Sequence, residues 1–311
     1  MADTPIEMDA KRWTQLHKML APERPTAIID IGANPVEPSP YDLLLTHGMA
    51  QVYCFEPQPS AYEALMAEPR PNRIVLPYAV GDGTESTLHI CNHSGFTSLL
   101  APNPAAIAYL GKWARMMTVT QRVQVQTVRL DDIAEIAHAD LIKIDIQGGE
   151  AAVFQNGPDR LHDALMVFTE VAAIPLYVDQ PLMHEQMRIL SDAGFYLHKF
   201  DTLKAVDLAR RFSPFLQARH HQNQLVDGDA IFIRSLLDLP SLTDEQLKHL
   251  AILADAVTQS YDLVLAVLDI LITKGCIGSE ADVMDYCAML PANRPRRLRH
   301  AQAGKGARTP S

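Results

Sequence analysis

Ala27-Ile28-Ile29-Asp30-Ile31-Gly32-Ala33-Asn34 is a short apolar run that turns polar and closes on a glycine. A fully buried parallel strand ends this way, in a tight turn. A second such run, Gln51 to Phe55, ends in Glu56-Pro57. Between them, Tyr41 to His47 has room for about two helical turns. The unit reads strand, glycine turn, helix, strand, acid. In an open α/β sheet, ligands bind at the carboxyl ends of the strands, where Asp30, Gly32 and Glu56 fall.

Gly32 lets the backbone pass close to a ligand where a Cβ would collide. Asn34 tolerates positive φ, which suits a tight turn. Glu56 follows Gly32 by 24 residues, near the distance at which an acid on the second strand takes the ribose hydroxyls of a nucleoside. The dinucleotide fingerprint needs three glycines, and only Gly32 is here. A P-loop lysine is missing too. A nucleoside without a pyrophosphate fits better, and S-adenosylmethionine is the common one. The alternative is a strand-turn-helix that binds nothing.

At 311 residues and 48% hydrophobic composition, the chain is globular, with one large domain or two smaller ones. No run of 18 apolar residues occurs, so no membrane span is expected. The opening MADTPIEMDAKRW has acids and no apolar stretch, so it does not read as a secretory signal. Cys54, Cys91, Cys276 and Cys287 lack C-x-x-C spacing. They read as free thiols in a reducing cytoplasm, without a disulfide framework or zinc site. Net charge is −10, yet residues 294–311 hold six Lys/Arg and no acid, so the remainder carries −16. An acidic body argues against nucleic acid as substrate. The basic tail, 291–311, is rich in Pro, Gly and Ala and is expected to be disordered.

Residues 1–25 read as a helical lead-in, Met8 to Leu20, ended by Pro22 and Pro25. Strand and helix then alternate, with a third strand from Arg73 to Val80 closed by Gly81-Asp82-Gly83. Thr87 to Cys91 and Val119 to Leu130 alternate as half-exposed strands and interrupt the α/β pattern. The region 86–130 is therefore expected to be an inserted lid at the ligand edge; residues 101–118 carry no clear signal. Leu141 to Ile146 is the next buried strand, and Gln147-Gly148-Gly149-Glu150 opens a helix through Phe154. Ala164 to Glu170 is a strand, Pro181 to Ala193 a helix, and Phe195 to Phe200 and Asp229 to Arg234 the last strands. Residues 235–290 lack strand signals and form a helical appendage of three helices, broken near Ser260 and Gly278.

With these segments in order, residues 27–234 resemble the FkbM family of S-adenosylmethionine-dependent methyltransferases. The matching pieces are Asp30-Ile-Gly-Ala-Asn34, Phe55-Glu56-Pro57, Ala79-Val80-Gly81-Asp82, Leu130-Asp131-Asp132 and Leu141-Ile-Lys-Ile-Asp-Ile-Gln-Gly-Gly-Glu150. Thr169-Glu170-Val171, Gly194-Phe195 and Asp229-Ala-Ile-Phe-Ile-Arg234 complete the set. The resemblance implies a Rossmann-like class I methyltransferase sheet, mostly parallel with helices on both faces, over 26–234. It also implies O-methylation of a hydroxyl on a sugar, glycan or natural product. By position, Asp30 to Asn34 would line the methionine and ribose end of the cofactor, Glu56 with Pro57 the ribose diol, and Val80-Gly81-Asp82 the adenine. Asp145 would sit at the active-site mouth. Two departures stand out: Pro35 follows Asn34, and Gln147 stands where the family usually has Glu.

An alcohol acceptor must lose a proton, usually to a His or carboxylate within hydrogen-bond reach. The candidates are His93 in the lid loop, Asp145, Glu150 and Glu170. Each has a structural alternative: an exposed loop histidine, a helix N-terminal charge for Glu150, a backbone partner for Glu170. His220-His221 lacks further ligands at metal spacing, so no metal site is expected. The competing functions are a non-catalytic domain that keeps the fold and, least favoured, a nicotinamide-dependent oxidoreductase. A homo-oligomer through the C-terminal helices is also open.

Overall fold

Successive residues of a strand point to opposite faces, and in this chain both faces of the central strands are apolar. The computed structural model describes residues 5–33, 39–216, 221–278 and 280–291. The elements are α1 (Pro5–Leu20), β1 (Thr26–Ile31), α2 (Asp42–Thr46), β2 (Ala50–Phe55), α3 (Pro59–Ala67), β3 (Arg73–Leu76), β4 (Ala79–Val80), β5 (Glu85–Cys91), α4 (Pro104–Leu110) and β6 (Val119–Val128). There follow β7 (Leu141–Ile144), α5 (Glu150–Gln155), α6 (Pro158–Asp163), β8 (Met166–Ala172), α7 (Met183–Asp192), β9 (Phe195–Val206) and β10 (Gln224–Arg234). The chain closes with α8 (Asp244–Ala256), α9 (Tyr261–Thr273) and α10 (Glu280–Ala288).

Seven strands make one sheet in the order β3-β2-β1-β7-β8-β10-β9. Every pairing in it is parallel except those of β10, which is antiparallel to both β8 and β9. Ile28, Val52, Leu141, Met166 and Ile231 point to one face, where they meet α1, α8, α9 and Tyr286 of α10. Ile29, Phe55, Ile142, Val167 and Phe232 point to the other, where Phe154, Leu161 and Leu190 from α5, α6 and α7 cover them. The expected mostly parallel sheet with helices on both faces is present, and the C-terminal helices form much of one helical layer. Among the described residues, no helix is long and apolar enough to cross a membrane.

The second sheet, β4-β6-β5, takes β5 and β6 from the region read as a lid and β4 from before it. It corrects one expectation. Arg73 to Val80 is not a single strand: Leu76 pairs with Phe55 in the large sheet, whereas Ala79 and Val80 pair with Thr127 and Val128 in the small one. Pro77, without an N–H, cannot continue the ladder, and the chain changes sheets there. The stretch 101–118 contains α4, capped by Asn103 Oδ1 accepting from the Ala105 and Ala106 amides and ended by Gly111 at φ 65°. A third apolar cluster, with Leu110, Met117, Leu176, Tyr177, Val206 and Val226, joins this region to the loop after β8 and to the far end of the β9–β10 hairpin. That hairpin extends beyond the expected Phe200 and Asp229. Residues 201–204 of β9, an edge strand, are exposed and lack the alternation that marks a half-buried strand.

Candidate functional site

Three parallel strands end beside one another and leave a crevice. The Gly32 amide donates to the Phe55 carbonyl at 3.0 Å, and the Asp145 amide donates to the Ile31 carbonyl at 3.0 Å. Gly32 has φ 81°, and a Cβ there would lie 2.0 Å from the Asp145 carbonyl oxygen. The close neighbour that demands glycine is therefore the protein's own backbone at the end of β7. Above this turn lies a cavity of about 250 Å³. Gly32, Glu56, Tyr78, Val80, Ser98 and Asp145 are among its lining residues.

Glu56 occupies the predicted strand end. One oxygen accepts from the Gln58 amide at 2.7 Å. Burial is the largest influence on its carboxyl and pushes it up to about 7. Pro57 lines the cavity beside it, and so do two residues with no motif to announce them: Gln58 and Tyr78. Tyr78 stacks on Phe55 at 6.4 Å. Its signal in the sequence was faint, an aromatic next to the proline that ends β3.

Asp30 takes a different place from the one its motif suggests. It is 1% exposed, with Lys143 Nζ 2.8 Å from Oδ1 and the Tyr41 hydroxyl on Oδ2. It lines, with Ala33, a second, polar cavity of about 140 Å³ beneath the turn. Asn34 and Pro35 lie outside the described residues, as do His220 and the tail beyond 291. Val80 lines the main cavity, but Gly81 and Asp82 are not among its lining residues. Asp82 accepts from the Thr84 amide and hydroxyl and lies 3.3 Å from Thr127 Oγ1 in an exposed turn.

The four candidate proton acceptors separate in the same way. His93 is exposed and outside the cavity lining. Its Nδ1 accepts from the Gly95 amide at 3.2 Å. In the neutral imidazole this contact engages the Nδ1 lone pair and leaves the proton on Nε2. Glu150, at the start of α5, is 1% exposed. It accepts from the Ile146 and Gly148 amides at 3.0–3.1 Å and from Gln186 Nε2 at 3.4 Å. It braces the 146–149 turn, and burial raises its carboxyl to about 7. Glu170, at the end of β8, is pushed well above the usual carboxylate range, first by burial and then by the charges of Asp145, Glu150 and Asp227. Asp145 is the exposed member and lines the cavity.

Asp145, Glu150 and Glu170 each offer an oxygen within 4.8 Å of the others, close enough to surround one cation. The sequence reading expects no metal site; this geometry brings together three carboxylates that could hold an ion. Glu170 follows Glu150 by 20 residues and lies on another element, so spacing did not reveal the cluster. Gln147 runs among the three acids. Its Nε2 donates to Asp145 Oδ1 at 2.8 Å and to Glu170 Oε2 at 2.9 Å. Its backbone sits at φ 61°, and its carbonyl accepts from Ser98 Oγ at 2.8 Å. Tyr177 Oη lies 3.0 Å from Gln147 Oε1 and 3.1 Å from the Phe96 carbonyl, so its single hydrogen serves one at a time.

A model of the FkbM methyltransferase domain matches residues 30–197, more than half the chain and all of the cavity's lining. This chain belongs to the FkbM methyltransferase family. No curated protein matches it. Among solved structures it is similar to the Methanococcus jannaschii fibrillarin pre-rRNA processing protein, with 16% identity over 68% of this chain and 67% of that one and a TM-score of 0.34. It is also similar to magnesium protoporphyrin IX methyltransferase from Synechocystis PCC 6803 with bound SAM (11% identity, 74% and 79% covered, TM-score 0.32). A third is the 16S rRNA (adenine(1408)-N(1))-methyltransferase from Catenulisporales acidiphilia (10% identity, 75% and 95% covered, TM-score 0.30). Similarity at this level says nothing about substrate.

The FkbM family uses S-adenosylmethionine, and the residues present fit that cofactor. The crevice over Gly32 is open at the ends of β1, β2 and β7, with Gly32 in its lining. Glu56 offers an acceptor oxygen for the ribose diol. Tyr78 and Val80 would offer apolar surface for the adenine, and Asp145 is a further acid in the lining.

Proposed function

We propose that the protein transfers a methyl group to a hydroxyl of a small sugar, glycan or natural-product acceptor. The observation that carries this reading is Asp145, an exposed carboxylate lining the cofactor cavity. The cofactor, when bound, supplies a methyl group on a positively charged sulfur. Asp145 has one oxygen held by Gln147 Nε2. The other is free to accept the acceptor's hydroxyl proton as the oxygen attacks. Glu150 keeps the turn that carries Asp145 rigid through its backbone hydrogen bonds. The Ser94–Ser98 loop, tied to Gln147 through Ser98 Oγ, lines one side of the cavity. Four free thiols support a reducing compartment, the cytoplasm, as the place of action.

The test is transfer of a labelled methyl group from S-adenosylmethionine to a panel of hydroxylated acceptors, compared with amines. Asp145→Asn should lower turnover by about 10²–10⁴, the range for loss of a general base, with cofactor affinity nearly unchanged. His93→Ala should leave turnover intact. Label appearing only on amines, or full turnover by the Asp145→Asn variant, would overturn the reading.

A further inference from the structure

A cluster that brings oxygens of three carboxylates within 4.8 Å of one another needs something to hold them. Like charges at such separations repel strongly in a partly buried site. A divalent cation is one solution, and oxygen ligands are what hard cations take. In this protein a side chain already stands between two of the acids. The Gln147 NH₂ group has two hydrogens, and two carboxylate oxygens lie 2.8 and 2.9 Å from its nitrogen. Exchanging the amide's oxygen and nitrogen would set Oε1 against both carboxylates and would turn the NH₂ toward Tyr177. The two carboxylates therefore fix the amide's orientation.

The backbone agrees. Gln147 holds φ 61°, a conformation that side-chain-bearing residues adopt rarely, and Ser98 Oγ holds its carbonyl. The third acid is also supplied with N–H donors, from Ile146, Gly148 and Gln186. Each of the three carboxylates thus accepts from a neutral donor. Burial pushes the Glu170 carboxyl well above the usual carboxylate range.

We propose that the Gln147 amide stands in for a divalent cation, holding Asp145 and Glu170 together so that the site works without a metal. Gln147 is then a positioning residue. It sets the Asp145 carboxylate at the cavity mouth and leaves one oxygen free. This rests on the proposed methyl transfer for its purpose, but its test needs neither acceptor nor turnover.

The experiment is titration of the full chain with Mn²⁺, followed by the electron paramagnetic resonance signal of the free ion. Wild type should leave the signal unchanged. Gln147→Glu replaces the donor with a fourth carboxylate and should bind one Mn²⁺ per chain at least about a hundredfold more tightly than wild type. Gln147→Ala vacates the centre without adding charge, and should bind Mn²⁺ more weakly than Gln147→Glu but more tightly than wild type. Mn²⁺ should raise the melting temperature of both variants and not that of wild type. Stoichiometric Mn²⁺ binding by wild type would overturn the proposal. So would either variant folding, by circular dichroism, without gaining the ion. If neither variant folds, the wild-type titration decides alone: an unchanged signal supports the amide and a bound ion refutes it. Calorimetry with S-adenosylhomocysteine on the same samples tells loss of the cofactor site apart from failure of this inference.

Discussion

Glu56 has a carboxyl pushed up to about 7 by burial, inside the range over which the protein would be assayed. A ribose diol donates hydrogen bonds to the ionised form. Below pH 7 the free protein carries a proton that binding must expel, so cofactor affinity should fall as pH drops from 7 to 5, by up to about tenfold per unit. Calorimetry at several pH values would show this. Glu56→Gln, which cannot ionise, should flatten the profile. Glu56→Ala should lose about 10- to 100-fold in affinity at pH 8, the value of charge-assisted hydrogen bonds. An unaltered affinity would mean that the acid on β2 serves another purpose. Residues at strand ends were legible because topology fixes where they lie: Gly32, Glu56 and Asp145 all reach the cavity. His93 and Asp82 were not legible. Their residue type suits a site, but only the local fold shows that one caps a turn and the other closes one. Gln147 could be singled out as a departure from its family. Its bond to Tyr177, thirty residues away, could not be read at all.

Among the elements, α1 was legible as a helix, but its partners were not. Arg12 is 1% exposed, with Nε 2.9 Å from Asp255 Oδ1 on α8. The Tyr286 hydroxyl on α10 donates to the same oxygen at 3.1 Å. Three helices far apart in sequence thus share one buried carboxylate. Arg12→Met leaves Asp255 charged and unmatched, and should cost about 3–5 kcal/mol of stability. Adding Asp255→Leu should recover part of that loss, because the apolar pair leaves only the Tyr286 hydroxyl without an acceptor. Urea denaturation of both variants measures the difference. A fall of less than about 1 kcal/mol for Arg12→Met would show that the pair is incidental, as most exposed pairs are. The division of β3 from β4 teaches a related lesson. The composition of Arg73–Val80 suits a strand throughout, and only the missing N–H of Pro77 marks where the chain changes sheets.

Taken whole, the molecule carries opposed titrations. His249 on α8 is fully buried, with Nδ1 3.0 Å from Thr26 Oγ1, and burial lowers its basicity. Asp140 and Glu245 near it favour the proton, whereas Arg24 and His138 oppose it. Its contribution to stability is present above its unfolded pKa of about 6.5 and is lost as pH falls. Glu56 and Glu150 act oppositely. Their folded values are raised, so their contribution is present at low pH and lost as pH rises through about 7. Two acids outweigh one imidazole, so the cofactor-free protein should melt higher at pH 6 than at pH 8. His249→Gln should steepen that trend. A melting temperature that climbs steadily from pH 6 to pH 8 would contradict it.

The helices α8, α9 and α10 cover apolar residues of β1, β2 and β7 that precede them in the chain by a hundred residues or more. On the ribosome, those strands emerge long before their cover. Throughout synthesis of the sheet, that face has only α1, α2 and Leu65 of α3 to pack against among the described residues, and α1 itself waits for Asp255 and Tyr286. A nascent chain stalled at Arg234 should therefore remain protease-sensitive and chaperone-bound, and one stalled after α10 has cleared the exit tunnel should not. Limited proteolysis of stalled complexes would show the change as a single late step. Release of a compact, protease-resistant body at Arg234 would mean that the sheet tolerates its bare face. The fold would then be finished by its last helices without depending on them.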